Sequence, residues 1–192
     1  MIPKSVYKAL AVMIVLALSP IPASSQSTDP KAATQEIAAL SVDMTHFDTI
    51  RRVAEDLVFW QSVAIMGGEY GWTFTYSGQG TNVEQWTYRL YNSLDETIQE
   101  GVRARQAIAR SRVLTEDEKA RGAEIFAKYE ELRTVAEETY NLLRADDVNA
   151  AAALFEEQIL GLGREITRAV ASNQIVLRDR IKRIALDVRL GK

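Results

Sequence analysis

The sequence predicts an all-α protein, an up-down-up-down antiparallel four-helix bundle with long first and fourth helices. Three observations predict it. Apolar residues recur every three or four positions through four separate stretches. The breaks between them carry helix-capping signatures rather than strand-like alternation. The chain has no cysteine, so neither a disulfide nor a thiolate metal site can replace helix packing as the source of stability.

The first 25 of the 192 residues read as a secretion signal. Lys4 and Lys8 supply the positive n-region, Ala9 to Leu18 form an apolar run of ten, and Ala23-Ser24-Ser25 is a small-x-small cleavage site. Ten apolar residues fall short of the ~20 that a membrane-spanning helix needs. Residues 2–18 taken together come nearer to that length, but Pro20, Pro22 and the following serines favour cleavage over retention as an N-terminal anchor. Residues 26–192 then form a single helical domain, long enough for one sizeable core. Without Lys4 and Lys8 the domain holds 21 basic against 26 acidic residues, a formal charge of −5. That balance argues against nucleic acid as a partner, which calls for a basic face. The expected compartment is the periplasm.

The first helix opens at Asp29-Pro30, an N-cap residue with proline at the first helical position. Ile37, Leu40, Met44, Phe47, Ile50, Ala54 and Leu57 carry its apolar face. Gly67, Gly68 and Gly71 weaken it, yet matching its length to the fourth helix predicts continuation to about Tyr76, with Ser77–Gly80 as the turn. The second helix opens at the capping box Thr81-x-x-Glu84 and carries Val83, Leu90, Leu94, Ile98, Val102 and Ile108 to about Ser111. The third opens at Thr115-x-x-Glu118, a second capping box. Its seam is Ile125, Tyr129, Leu132, Ala136, Thr139 and Leu143, supported by Asp117–Arg121 and Glu124–Lys128 at i, i+4. Asp146 or Asp147 caps the fourth helix, which steps through Phe155, Ile159, Leu162, Ile166, Val170, Asn173, Leu177, Ile181, Ile184 and Val188. Its forty-odd residues span about 65 Å at 1.5 Å each. Asn173 is a polar residue within that seam, and reads as a register pin with Gln61 as a plausible partner.

Seven of the fifteen aromatic residues lie between positions 70 and 91, around Ser77-Gly78-Gln79-Gly80. Such a cluster either caps the bundle or walls a small site. In the second case Trp72, Tyr76, Trp86 and Tyr88 line it, and Arg89 offers a charge-assisted bond to an anionic ligand.

The segment Gly71-Trp72-Thr73-Phe74-Thr75-Tyr76-Ser77-Gly78, followed by Trp86 and Tyr88, resembles the extracytoplasmic four-helix-bundle and CHASE3-like sensor domains of bacterial chemoreceptors and histidine kinases. Tyr140–Asp147, followed by the alanine-rich 148–154, is similar to the turn between helices three and four of those bundles. The resemblance implies a non-catalytic sensor domain that binds a small ligand. In those receptors helix four feeds a second membrane span and a signalling module. With Lys192 as the last residue here, the expectation is a module that binds a ligand or acts as accessory partner of a membrane receptor. Leu114-Thr115-Glu116-Asp117-Glu118-Lys119, leading into Ile125-Phe126, resembles the leucine-threonine motif of small periplasmic chaperones and metal-resistance proteins. Those carry glutamine where Asp117 or Glu118 stands, so this is the alternative reading.

No catalytic constellation competes. His46 is the one histidine and reads as a solvated helix residue without a neighbouring nucleophile. Metal ligation lacks a second histidine or a cysteine. Haem ligation by His46 with Met44 or Met66 fails because Met44, two residues away, faces elsewhere. The expectation is no enzyme, no metal and no cofactor. Arg178, Arg180, Lys182, Arg183, Arg189 and Lys192 make residues 178–192 net +4, as the helix macrodipole favours, and suit a weak contact with an anionic membrane surface. A residual apolar stripe on a long bundle predicts a homodimer. The processing reading predicts an exported chain that begins at Gln26 by intact-mass measurement; a membrane-bound product beginning at Met1 would overturn it.

Overall fold

The computed structural model describes residues 29–69, 75–76, 79–80 and 98–191. These are almost wholly helical, and the protein is an all-α helical bundle. Helix α1 spans Pro30–Glu69, followed by two short strands, β1 (Thr75–Tyr76) and β2 (Gln79–Gly80). The described part of α2 is residues 98–110. Then come α3 (Glu116–Arg144), α4 (Val148–Leu154), a π-helical turn at Phe155–Ile159, and α5 (Leu160–Leu190). Among the described residues no helix is long and apolar enough to cross a membrane.

Helix α1 starts as its sequence dictates. The Asp29 carboxylate accepts the Lys31 N–H at 3.0 Å, satisfying one of the orphan donors of the first turn. The helix passes through Gly67 and Gly68 to Glu69. Its expected continuation to Tyr76 does not hold, because Thr75 and Tyr76 are extended and pair antiparallel with Gly80 and Gln79. Two β-branched threonines and two aromatics at positions 73–76 favour a pleated backbone over a helix, and two residues separate the strands, the commonest hairpin connection. The capping box at Thr81 and Glu84 lies outside the described residues.

Helix α3 is capped as predicted. Thr115 Oγ1 accepts the Glu118 N–H at 3.2 Å, and Glu118 Oε2 accepts the Thr115 N–H at 2.7 Å. All six of its predicted seam residues are buried. At its end the Asp147 N–H reaches Leu142 O at 3.0 Å and the Asp146 N–H reaches Leu143 O at 3.2 Å. This Schellman closure places Asp146 in the left-handed region, at φ 61°. Asp147 Oδ1 then accepts the Ala150 N–H at 3.1 Å and opens α4. Both aspartates anticipated at this turn are used, one to end a helix and the next to start one.

The main core joins Leu40, Phe47, Ile50 and Leu57 of α1 to Ile125, Tyr129 and Leu132 of α3 and Ile166, Val170 and Leu177 of α5. A smaller cluster, Ile65, Leu143 and Ala151, closes the end beside the α3–α4 turn. Two glycines set how closely the helices approach. A Cβ on Gly122 would stand 2.8 Å from Ile108 Cγ2, and one on Gly163 would stand 2.6 Å from Val58 Cγ2, distances no side chain tolerates without displacement. Gly161, two residues away on the same helix, meets nothing within 4 Å. Gly163→Val is therefore expected to lower the unfolding free energy by about 2 kcal/mol through overpacking. Gly161→Ala is expected to raise it by up to ~1 kcal/mol through helix propensity, both read from urea denaturation.

Candidate functional site

Near the pole that holds the start of α1 and the end of α5, the bundle encloses a group of charged side chains. Asp43 and Glu118 are both buried, with 6% and 4% of their surface exposed. Arg180 of α5 donates through Nη1 to Glu118 Oε2 and through Nη2 to Glu36 Oε1, each at 2.7 Å. One guanidinium thus clamps a carboxylate from α1 and another from α3. Glu118 accepts from both Arg180 and the Thr115 backbone, so its capping role and its ion pair are one structure.

Asp43 lies beside this clamp. Its Oδ2 accepts the Ser111 hydroxyl at 2.6 Å, and Ser111 Oγ in turn accepts the N–H groups of Val113 and Leu114 at 3.3 and 3.2 Å. The connection between α2 and α3 is therefore folded around one hydroxyl that is itself anchored to α1. Burial pushes the Asp43 carboxyl up from 3.8 to about 6, helped by the nearby Glu118 charge and opposed by the Ser111 hydrogen bond, Arg180 and Lys119.

A second polar set lies further along the core. Gln61 Nε2 donates to Ala136 O at 3.1 Å, while Asn173 Oδ1 accepts from Arg121 Nε at 3.2 Å. The expected Gln61–Asn173 pair does not form, because Asn173 sits at the level of Arg121 and Gln61 at the level of Ala136. Gln61 Oε1, Asn173 Nδ2 and Tyr129 Oη are buried with no hydrogen-bond partner. Burial raises the pKa of the Tyr129 hydroxyl. The helical pairs expected within α3 are also replaced by contacts to α5. Arg121 turns to Asn173 rather than Asp117, and Lys128 pairs with Glu165 rather than Glu124. The fork of Arg121 and the long Lys128 stem reach a partner across the helix interface as easily as one along the helix.

Of the sequence-predicted site residues, Trp72, Trp86, Tyr88 and Arg89 lie outside the described residues. For Tyr76 the backbone alone is described, paired with Gln79. His46 is half-buried and its pKa is lowered by that burial, so it is less solvated than a surface histidine. Among the described residues no three His, Cys, Asp or Glu side chains converge as a metal would require. Asp43 escaped the sequence reading, although its signal was present. Leu40, Asp43, Phe47 and Ile50 step by 3, 4 and 3, which puts a carboxylate on the apolar stripe. No protein-family model, curated protein or solved structure matches the chain.

The clamp can hold three helical segments and a connection in register, and it can respond to protons. Because the folded-state value of Asp43 lies above the ordinary one, the folded form binds the proton more tightly than the unfolded form. The stability that this adds is complete below about pH 3.8 and is lost as pH rises through about 6. At neutral pH the buried carboxylate is a cost. Asp43→Asn keeps an oxygen acceptor for Ser111 and removes the charge. It is expected to raise the unfolding free energy at pH 7 by about 2 kcal/mol and to flatten the pH dependence between 4 and 6. Chemical denaturation of both proteins across that range measures it.

Proposed function

We propose that this chain is a non-catalytic, periplasmic sensor-like bundle that binds a small ligand or acts as accessory partner of a membrane receptor in signal transduction. Its four helical segments run up-down-up-down. Contacts between α1 and α3 keep one offset, with Gln61 against Ala136, 75 positions on, and Phe47 against a Cβ at Gly122, which supports a common direction. Along α5 the partners retreat: Glu36 meets Arg180, Glu55 meets Thr167, and Val58 meets Gly163. Helix α2 likewise runs against α3, with Gly101 beside Tyr129 and Ile108 beside Gly122.

The observation that carries the reading is the two-ended layout. The Arg180 clamp ties one pole, where the domain begins and α5 ends. Beyond the opposite end of α1, Thr75 and Tyr76 pair antiparallel with Gly80 and Gln79, within the stretch that carries the resemblance to chemoreceptor and CHASE3-like sensor domains. Trp72, Tyr76, Trp86, Tyr88 and Arg89 are the contact residues of this proposal. Phe59 and Met66, seven residues apart on α1 and both exposed, provide an apolar strip for the homodimer. The chaperone alternative draws on Leu114–Lys119, where Thr115 and Glu118 already form the α3 capping box and Glu118 is also half of the clamp.

A thermal-shift screen of metabolites tests the proposal. A ligand that binds the folded form alone adds about 2.7 kcal/mol at a hundredfold excess over its Kd. Trp72→Ala and Trp86→Ala are expected to abolish that shift while leaving the helical circular dichroism unchanged. If nothing shifts the wild type, yet it suppresses client aggregation and both variants do so equally, the chaperone reading replaces this one.

A further inference from the structure

The last four turns of α5 carry a face that the bundle does not use. Arg178, Lys182, Leu186 and Arg189 step by 4, 4 and 3 along one side, with Arg183 and Leu190 flanking them, and all six are exposed. Leu186 and Leu190 are 53% and 55% exposed, large values for leucines on a helix whose opposite side is packed. Arg180 is the exception within this basic run. It turns inward to Glu36 and Glu118, so it neutralises the core carboxylates and leaves the outward charge to the others. Of the two acids in this stretch, Asp187 is half-buried beside Arg183, and Asp179 pairs with Lys182 at 3.2 Å while Lys182 keeps 77% of its side-chain surface in solvent. Arginines at the end of a helix suit the macrodipole. Two exposed leucines beside them do not follow from that effect.

We infer that this face is a docking surface for an anionic lipid bilayer, with α5 lying along the membrane plane. Arg178 to Leu190 spans about 18 Å at 1.5 Å per residue. Over that length the cations can meet headgroup phosphates while Leu186 and Leu190 enter the boundary with the acyl chains, the arrangement of an interfacial amphipathic helix. A second copy of the chain suits the face poorly, because apposing it on itself would bring like charges together. Nucleic acid would satisfy the cations and leave the leucines in water. The start of α1 lies at this pole as well, since Glu36 pairs with Arg180.

Co-sedimentation of the protein purified after export tests this independently of any ligand at the aromatic segment. Vesicles of phosphatidylcholine alone are compared with vesicles in which roughly one third is phosphatidylglycerol. Binding is expected to the anionic vesicles only, and to weaken steeply between low and high salt. The triple variant Lys182→Glu, Arg183→Glu, Arg189→Glu is expected to lose at least tenfold in affinity, since each basic residue near such a surface contributes roughly fivefold. Leu186→Ser with Leu190→Ser, which leaves every charge in place, is expected to lose severalfold. All substituted positions are exposed, and circular dichroism checks that the helices persist. Equal binding to neutral vesicles, undiminished binding by the charge-reversed variant, or competition by millimolar inorganic phosphate at constant ionic strength would overturn the inference. So would a dimer, seen by light scattering without vesicles, that the triple variant dissolves.

Discussion

The Arg180 guanidinium meets Glu36 and Glu118 at once, and the register of the bundle depends on that double contact. Helices can slide along one another at modest cost when their seams are uniformly aliphatic, since one leucine fits a neighbour's groove much as another does. A charged fork that must reach two carboxylates on two different helices removes that freedom. Moving α5 by one turn would separate Arg180 from both acids and leave Glu118, almost wholly buried, with a single backbone donor. Breaking a buried pair by removing one partner costs about 3–5 kcal/mol in comparable settings. With Arg180 fixed, Arg121 falls opposite Asn173, Lys128 opposite Glu165, and Gly163 opposite Val58. The glycine contact is the other half of the constraint, because the helices can come this close only where no Cβ intervenes.

Ion pairs of this kind do not make a protein more stable than a well-packed apolar core would. Desolvation offsets most of the Coulombic gain, and Asp43 is a net cost at neutral pH. What the network supplies is discrimination between registers. It also ties a connection to the core, through Asp43, Ser111 and the Val113 and Leu114 amides. The α2–α3 connection therefore takes its shape from one buried carboxylate rather than from its own turn residues.

Most of the helical layout was legible from position and type alone. The α3 seam and its capping box required only periodicity and a hydroxyl three residues ahead of a glutamate. Asp29-Pro30 and Asp147 were legible for the same reason, since caps are local. What sequence could not supply were the partners. Lys128 had an acceptor four residues away on its own helix and another on α5, and no spacing rule ranks them. Gln61 and Asn173 were both polar residues in apolar seams, but pairing them needed the axial offset between helices, which only the packed structure fixes. The end of α1 was misjudged because length matching treated the helix as a rod. Thr75 and Tyr76 belong instead to a strand pair, where local β preference outweighs the demand for equal lengths. Of the candidate aromatic segment, the structure describes the backbone pairing of Thr75 and Tyr76 with Gly80 and Gln79.

The π-helical turn at Phe155–Ile159 shows how a seam reconciles two periods. Ala151, Phe155 and Ile159 are four residues apart, and on an α-helix each step of four overshoots a full turn by about 40°. Two such steps in succession would carry the stripe well off the core before Ile166. One wider turn takes up the excess, so that Ile159 and Ile166 are both fully buried while Glu156 and Glu157 remain in solvent. The correction sits just past the turn that joins α3 to α4, at the end of the bundle away from Arg180. There the small cluster of Ile65, Leu143 and Ala151 still has to be reached. The register is thus imposed from the charged pole by Arg180 and accommodated at the other by a local change of helical pitch, which allows one continuous helical run, 148–190, to serve both cores.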